Sequence, residues 1–261
     1  MKKENNQFCR ICHSAVNEIF SGYLIGNKVR YFECSSCGYI QTEMPYWLDQ
    51  AYAEAINDSD TGILVRNKDN ASIVLVTMWM LGKLNGILVD CAGGYGILVR
   101  LLRDFGVNAL WSDRYCKNML ARGFEHSDEK ADLVSAFEAF EHFINPAEEL
   151  DRLLAIAPNV LFSTELIADP APNQDDWWYY GKEHGQHIGF FRISTLKRLA
   201  KDRGKYFVSN GTSYHLITDK PVNQMLWKVL IRLKRILPIM LKHKLISRVM
   251  KDHYVMVEQK V

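Results

Sequence analysis

The chain has 261 residues, 48% hydrophobic and 24% charged with a net charge of +2, which excludes a disordered or fibrous chain and leaves room for one α/β domain plus a small appendage. The basic start MKKENNQFCR has no apolar stretch behind it and no apolar run reaches the roughly 18 residues of a spanning helix, so neither a secretory signal nor a membrane span is expected and the chain reads as cytoplasmic. The charge is uneven: residues 222–261 hold nine Lys and Arg against two acids, a net +7, which leaves the remainder at −5.

Two C-x2-C pairs come first, Cys9-Arg-Ile-Cys12 and Cys34-Ser-Ser-Cys37, 21 residues apart. Each pair aims two thiolates at one point from a tight turn, and two such turns brought together form the four-sulfur shell that a structural zinc ion prefers. Four sulfur ligands leave no position for water, so the zinc is structural. The intervening Tyr23–Phe32 reads as a hairpin with Gly26-Asn27 at its turn. Residues 1–44 are therefore expected to form a zinc ribbon. Beyond Pro45, Trp47–Ile56 and Ser72–Leu84 have helical apolar spacing, with the loop INDSDTGILVRN between them.

From Ile87 the pattern alternates. Ile87–Cys91, Ala109–Trp111, Asp132–Ala136 and Val160–Ser163 read as strands, and Ile97–Phe105, Ala147–Ile156 and Ser194–Arg203 as helices. Such alternation predicts an α/β fold, a Rossmann-like parallel sheet with helices on both faces. Tyr206–Ser209 and Ser213–Thr218, joined by Asn210-Gly211, add an antiparallel hairpin at the C-terminal end of a domain spanning 45–221. In the tail, 222–261, apolar residues from Leu226 to Leu241 recur at helical spacing beside Lys228, Arg232 and Arg235. A basic amphipathic helix of this kind, broken at Pro238, suits either docking on the domain or peripheral contact with an anionic inner membrane surface through 222–254.

The chemistry concentrates at VDCAGGYGILVRLL, residues 89–102. A glycine-rich strand-to-helix turn lets backbone approach a ligand at the carboxyl end of a sheet. A dinucleotide fingerprint starting at Gly94 would place Val99 in its third glycine slot, which weakens that reading. The stretch instead resembles the S-adenosylmethionine site of class I methyltransferases, an acid followed by G-x-G-x-G: Asp90 takes the acidic position, Ala92 the first glycine, Gly94 and Gly96 the second and third, and Gly93 lies within the turn. Asp113, about 20 residues on, stands where a carboxylate accepts the ribose hydroxyls. ADLVSAFEAFEHFINPAEEL resembles the fourth-strand segment of the same family, with Glu138, Glu141 and His142 in its E-x-x-E-H positions, and Glu138 is assigned to the cofactor. The resemblance covers residues 70–220.

The long insertion DPAPNQDDWWYYGKEHGQHIGFF offers the flat faces of Trp177, Trp178, Tyr179 and Tyr180 and the proton acceptors Glu183, His184 and His187. The whole arrangement resembles the zinc-bearing methyltransferases of deoxysugar and polysaccharide biosynthesis. Gln186-His187-Ile188-Gly189-Phe190-Phe191 matches the segment that carries their catalytic histidine, so the resemblance implies His187 as general base, although Gln186 stands where that group has an acid. A sugar or glycan acceptor, methylated on oxygen or carbon, is the reading this supports. RNA or protein methylation, or a binding protein that keeps the fold without turnover, are the alternatives, and no specific nucleic acid partner is expected.

Overall fold

The computed structural model describes residues 8–53 and 60–258. Two sheets organise it. The larger has six strands in the order β5-β4-β6-β7-β10-β9, built from β4 (Ile87–Asp90), β5 (Asn108–Trp111), β6 (Leu133–Ala136), β7 (Val160–Ser163), β9 (Tyr206–Ser209) and β10 (Tyr214–Thr218). Strands β5, β4, β6 and β7 run parallel, and β10 lies antiparallel to both β7 and β9. All four residues of β6 and of β7 are buried, as continuous apolar strands covered on both faces must be. The chain leaves β4 for β5 on one side and returns to β6 on the other, so the strand order reverses at β4, the place where such sheets open a ligand crevice.

Helices cover both faces. On one face α2 (Ile63–Met80), α3 (Ile97–Phe105) and α6 (Gln224–Arg232) pack Ile73, Leu98, Leu102 and Trp227 onto Leu88, Leu133 and Leu161. On the other α4 (Pro146–Ile156) and α5 (Ile193–Lys201) pack Leu150, Leu153, Leu196 and Leu199 onto Val89, Val134 and Phe162. Helix α3 stops at Gly106, whose left-handed φ of 110° directs its N–H back to the Leu102 carbonyl.

The smaller sheet has the order β1-β2-β3-β8, from β1 (Asn17–Leu24), β2 (Asn27–Glu33), β3 (Ile40–Thr42) and β8 (Gly189–Phe190). Its last strand comes from the insertion after β7, with Ile40 opposite Phe190 and Gln41 opposite Gly189. The cysteine-bearing segment and the insertion thus share one sheet and one apolar cluster, in which Leu24, Tyr31 and Ile40 meet Tyr179, Tyr180 and Phe190. Cys9, Cys34, Cys37 and Tyr39 also belong to the same core as Val134 and Phe162 of the large sheet.

Several boundaries differ from those read in the sequence. Helix α2 begins at Ile63 rather than Ser72 and takes in the end of the expected loop; in its added turns Asn70 accepts the Tyr214 hydroxyl at 3.0 Å and Asp69 pairs with Lys234 at 2.5 Å. It ends before Leu84, where Gly82 at φ 67° lets the Lys83 N–H reach the Met78 carbonyl. The helix expected over 47–56 is the single turn α1 (Leu48–Ala51), and positions 54–59 lie outside the described residues. The β1–β2 turn falls on Ile25-Gly26, at φ 43° and 81°, and Asn27 already pairs with Leu24. Two consecutive left-handed residues make the tight hairpin turn that matches strand twist, and the Lys182 carbonyl holds the Ile25 N–H at 2.9 Å.

The tail forms three helices, α6, α7 (Leu237–Leu241) and α8 (Val249–Glu258). Trp227 of α6 is fully buried, and Asp252 of α8 is held by Arg103 at 2.7 Å and Arg100 at 2.5 Å, both from α3. No helix among the described residues is long and apolar enough to cross a membrane.

Candidate active site

The glycine turn packs tightly on itself. Gly94 and Gly96 have φ of 51° and 87°, a region that disfavours side chains, and Gly96 begins α3. A Cβ on Gly96 would stand 3.0 Å from the Ala121 backbone nitrogen. Gly93 has a different reason: a Cβ there would lie 2.4 Å from Cδ1 of Trp111, whose indole N–H donates to the Gly94 carbonyl at 2.9 Å. Trp111, not singled out in the sequence, is therefore tucked into the turn. The glycines create internal room before they create room for a ligand.

Asp113 ties this turn to the loop after β5. One carboxylate oxygen accepts the Gly94 N–H at 2.9 Å, and the other accepts the Tyr115 and Cys116 N–H groups at 2.7 and 2.8 Å. Asp90 ends β4 fully enclosed and accepts the Ser135 hydroxyl at 2.8 Å. Burial pushes its carboxyl up to about 7; the Ser135 bond opposes this and the charge of Asp113 adds to it.

Further acids gather at the carboxyl ends of β6 and β7. Glu138, at φ 49°, donates its N–H to Ser163 Oγ at 2.8 Å and receives the Ser163 hydroxyl on its carboxylate. Burial first and Glu138 second raise Glu165, and the same two causes push Glu141 up to about 8. Among the described residues, Asp90, Asp113, Glu138, Glu141 and Glu165 pair with no Lys or Arg. Asp90, the turn 92–96, Asp113 and Glu138 stand at or just past the carboxyl ends of β4, β5 and β6, the end of such a sheet where ligands bind.

The insertion supplies the facing wall. Tyr179 and Tyr180 are core residues with 1% and 0% exposure, and Trp177 packs edge-on against Tyr180 at 5.2 Å, so of the four aromatic faces only Trp178, 76% exposed, is open to an acceptor. His184 and His187 come together, ring centroids 4.6 Å apart, while Glu183 stays exposed on the loop. Gly181 at φ 61° makes room for the His184 ring, which a Cβ would approach to 2.3 Å.

The carboxylate that reaches the histidines is Glu141. One ligand atom each from Glu141, His142 and His187 lie within 4.8 Å of one another. His187 Nδ1 is 2.6 Å from the Tyr179 carbonyl, which only accepts, so Nδ1 carries the proton and Nε2 the lone pair. Burial, reinforced by His142 and His184, holds His187 well below the ordinary histidine range and therefore neutral. Burial likewise brings His142 down to about 3, with His184 adding and the Gln186 carbonyl opposing. Tyr52 joins the two halves: its hydroxyl is 2.8 Å from His142 Nδ1, and its ring stacks on Tyr115, next but one to Asp113, at 5.4 Å.

The ribbon positions this wall. Thr42 N–H donates to the Ile188 carbonyl at 3.0 Å, Trp47 Nε1, just past the ribbon, to the Gly185 carbonyl at 2.8 Å, and Ile188 N–H in turn to the Glu141 backbone carbonyl at 2.8 Å. In the ribbon, Cys9 and Cys37 sulfurs are 3.6 Å apart and those of Cys12 and Cys34 3.5 Å, with all four within 4.8 Å. Bonds of ~2.3 Å to a tetrahedral zinc place sulfurs ~3.8 Å apart, so the four cysteines fit such an ion. Both turns close alike: His13 and Gly38, at φ 57° and 76°, return their N–H groups to the Cys9 and Cys34 carbonyls at 2.9 and 2.8 Å.

A mostly parallel sheet with an antiparallel hairpin, an acid-then-glycine turn at its switch point and a second acid closing the next strand define the fold of the class I methyltransferases. Residues 67–209 match the family model described as a methyltransferase domain, more than half of the chain, and the protein belongs to that family. One solved structure agrees on the fold, and two others are similar over part of the chain. Burkholderia thailandensis 1,6-didemethyltoxoflavin-N1-methyltransferase, with bound 1,6-didemethyltoxoflavin and S-adenosylhomocysteine, is 13% identical over 77% of this chain and 100% of its own, with a TM-score of 0.50. Magnesium protoporphyrin IX methyltransferase from Synechocystis PCC 6803, with bound S-adenosylhomocysteine, is 13% identical over 66% of this chain and 93% of its own, TM-score 0.46. TnmH is 16% identical over 67% of this chain, TM-score 0.42, and the match spans 62% of its length, less than two thirds. No curated protein matches the sequence.

Proposed function

We propose that the protein transfers a methyl group from S-adenosylmethionine to a sugar or glycan, most directly to a hydroxyl. The observation that carries this reading is the pairing of a group of acids at the carboxyl end of the sheet with the neutral histidines of the insertion, joined through Tyr52. S-adenosylmethionine, when bound, supplies a methyl group already activated by the positive sulfur, so the protein's task is chiefly alignment. Asp90, Asp113 and Glu138 would hold the cofactor's cationic and ribose groups. His187, with Nδ1–H fastened to Tyr179, presents Nε2 to take the proton that a hydroxyl must lose to become nucleophilic. The exposed face of Trp178 suits the apolar face of a sugar ring. The four cysteines, filled with zinc, would hold the wall in register. A carbon acceptor next to a carbonyl would use the same base.

The test is methyl incorporation from labelled cofactor across nucleotide sugars and glycans, with cofactor affinity measured by calorimetry. His187→Ala is expected to abolish turnover with affinity nearly unchanged. Wild-type turnover in that variant removes His187 from the mechanism, and absence of cofactor binding by the wild type removes the reaction.

A second reading concerns where the enzyme works. Met225, Leu226, Val229, Leu233, Ile236, Ile239 and Met240 are all exposed on or between α6 and α7, beside Lys228, Arg232 and Arg235. Apolar side chains framed by cations favour peripheral binding to an anionic membrane, which would present a lipid-linked glycan. Co-sedimentation with anionic vesicles, lost on reversing Arg232 and Arg235 to Glu, is expected. No co-sedimentation of the intact protein rejects the reading.

A further inference from the structure

We infer that Glu141, His142 and His187 form a divalent transition-metal site that binds the acceptor oxygen, separate from the four-cysteine cluster. The inference rests on reading the insertion as the acceptor side. Its first support is Glu141 itself: the side chain is fully buried, neither carboxylate oxygen has a hydrogen bond of good geometry although the hydroxyls of Tyr179 and Thr164 stand near it, and His142 Nε2 is 4.0 Å from Oε1. A buried carboxyl held only by loosely placed hydroxyls is costly, and buried charges are normally paired or bound to a metal.

The histidines supply the second support. His187 donates from Nδ1 to the Tyr179 carbonyl, which leaves Nε2 as a lone-pair donor. His142 turns Nε2 towards Glu141 and sets Nδ1 against the Tyr52 hydroxyl at 2.8 Å. An outer hydrogen bond on the far nitrogen is how metal-bound imidazoles are oriented. Two imidazoles and a carboxylate suit zinc or a neighbouring first-row divalent ion, and three protein ligands leave a position open for a substrate oxygen. Bonds of ~2.1 Å place ligand atoms ~3.4 Å apart in a tetrahedron. The present spacing is within 4.8 Å, so the three side chains would draw in by about 1 Å on binding.

The ion gives the site a second route to a nucleophile. A hydroxyl bound to it loses its proton to water near neutral pH, as metal-bound water does. The oxygen then forms its bond to the methyl carbon while the carbon–sulfur bond breaks and that electron pair stays on sulfur. His187 serves as ligand, not proton acceptor, in this route.

The test is a Co2+ titration of the full-length protein after metal removal, followed by absorption and by metal analysis. Two ions per chain are expected: one with the intense near-ultraviolet charge-transfer bands of thiolate ligands, and one with only weak visible bands. Glu141→Gln, which keeps the side-chain volume, is expected to hold one ion per chain and lose the weak bands while keeping the thiolate bands and the cofactor affinity. A wild type that binds a single ion, or a Glu141→Gln variant that still binds two, overturns the proposal. Because the wild-type count alone decides against it, a variant that fails to fold leaves it falsifiable. Cofactor binding by calorimetry reads the methyltransferase function independently, so a second ion without cofactor binding fails that function and not the metal site.

Discussion

Gly93→Ala isolates what the glycine turn is for. A methyl group at this position would lie 2.4 Å from Trp111 Cδ1, 2.7 Å from its Nε1 and 3.3 Å from the Asp90 carbonyl. Carbon contacts are relaxed at about 3.5–4.0 Å, so the indole must retreat by about 1 Å. It cannot do so freely, because its N–H is spent on Gly94. Overpacking costs about 1–3 kcal/mol and a lost hydrogen bond about 1 more, for a total of roughly 2–4 kcal/mol. That corresponds to a melting midpoint lowered by roughly 5–15 °C. The turn moves with the indole, so cofactor affinity should fall as well. The assay is a double-mutant cycle by thermal denaturation and calorimetry. In a Trp111→Leu background the same Gly93→Ala change should cost less than about 1 kcal/mol, since neighbouring sites couple. An equal loss in both backgrounds, or none in either, refutes the steric argument.

Asp90 makes cofactor binding pH-dependent. Its carboxyl is raised to about 7, chiefly by burial, and a cationic ligand favours the ionised form, so affinity should tighten as pH rises from 6 to 8 with proton release visible in calorimetry. Asp90→Asn should flatten that dependence; an unchanged slope rejects the assignment. Asp252→Asn removes the carboxylate that Arg103 grips from two nitrogens and should destabilise the fold by about 3 kcal/mol, because the arginine keeps only the Ala109 carbonyl, the more distant Asn108 side-chain oxygen and the Phe124 ring face. Burial pushes Asp252 up, but Arg103 and Arg100 outweigh it and hold the carboxyl below its ordinary value. The pair's contribution is therefore complete above the unfolded carboxylate pKa of about 4 and lost progressively as pH falls from there through the lower folded value, so denaturant midpoints of wild type and variant should converge in strong acid.

Much of the large sheet is legible in the chain. Residues 160–163 and 97–105 take the conformations their patterns predict, because a four-residue apolar run and a helical spacing of Leu98, Val99 and Leu102 each have one way to bury themselves. The start of α2 is not legible: Asn67, Asp69 and Asn70 favour loops locally and are helical because Tyr214 and Lys234, far along the chain, satisfy Asn70 and Asp69. In the candidate site, His184 and His187 could be picked out by residue type, and so could the cysteines by spacing. Trp111 could not, since nothing local shows an aromatic ring folded over a turn that precedes it by 17 residues. Nor could Glu141 be told from Glu183, because burial separates them and burial is a property of the assembled fold.

Local patterning by itself determined the strand and helix alternation, the acid-and-glycine turn and the two cysteine knuckles, since each depends on the spacing of near neighbours. Only the tertiary structure decided that the cysteine-bearing sheet takes β8 as its fourth strand, that the insertion is thereby pressed onto β6 and β7, and that Glu141 ends up fully buried beside two histidines. Those outcomes follow from contacts between segments up to about 150 residues apart, such as Thr42 with Ile188. The preferences of the intervening chain carry no record of such contacts.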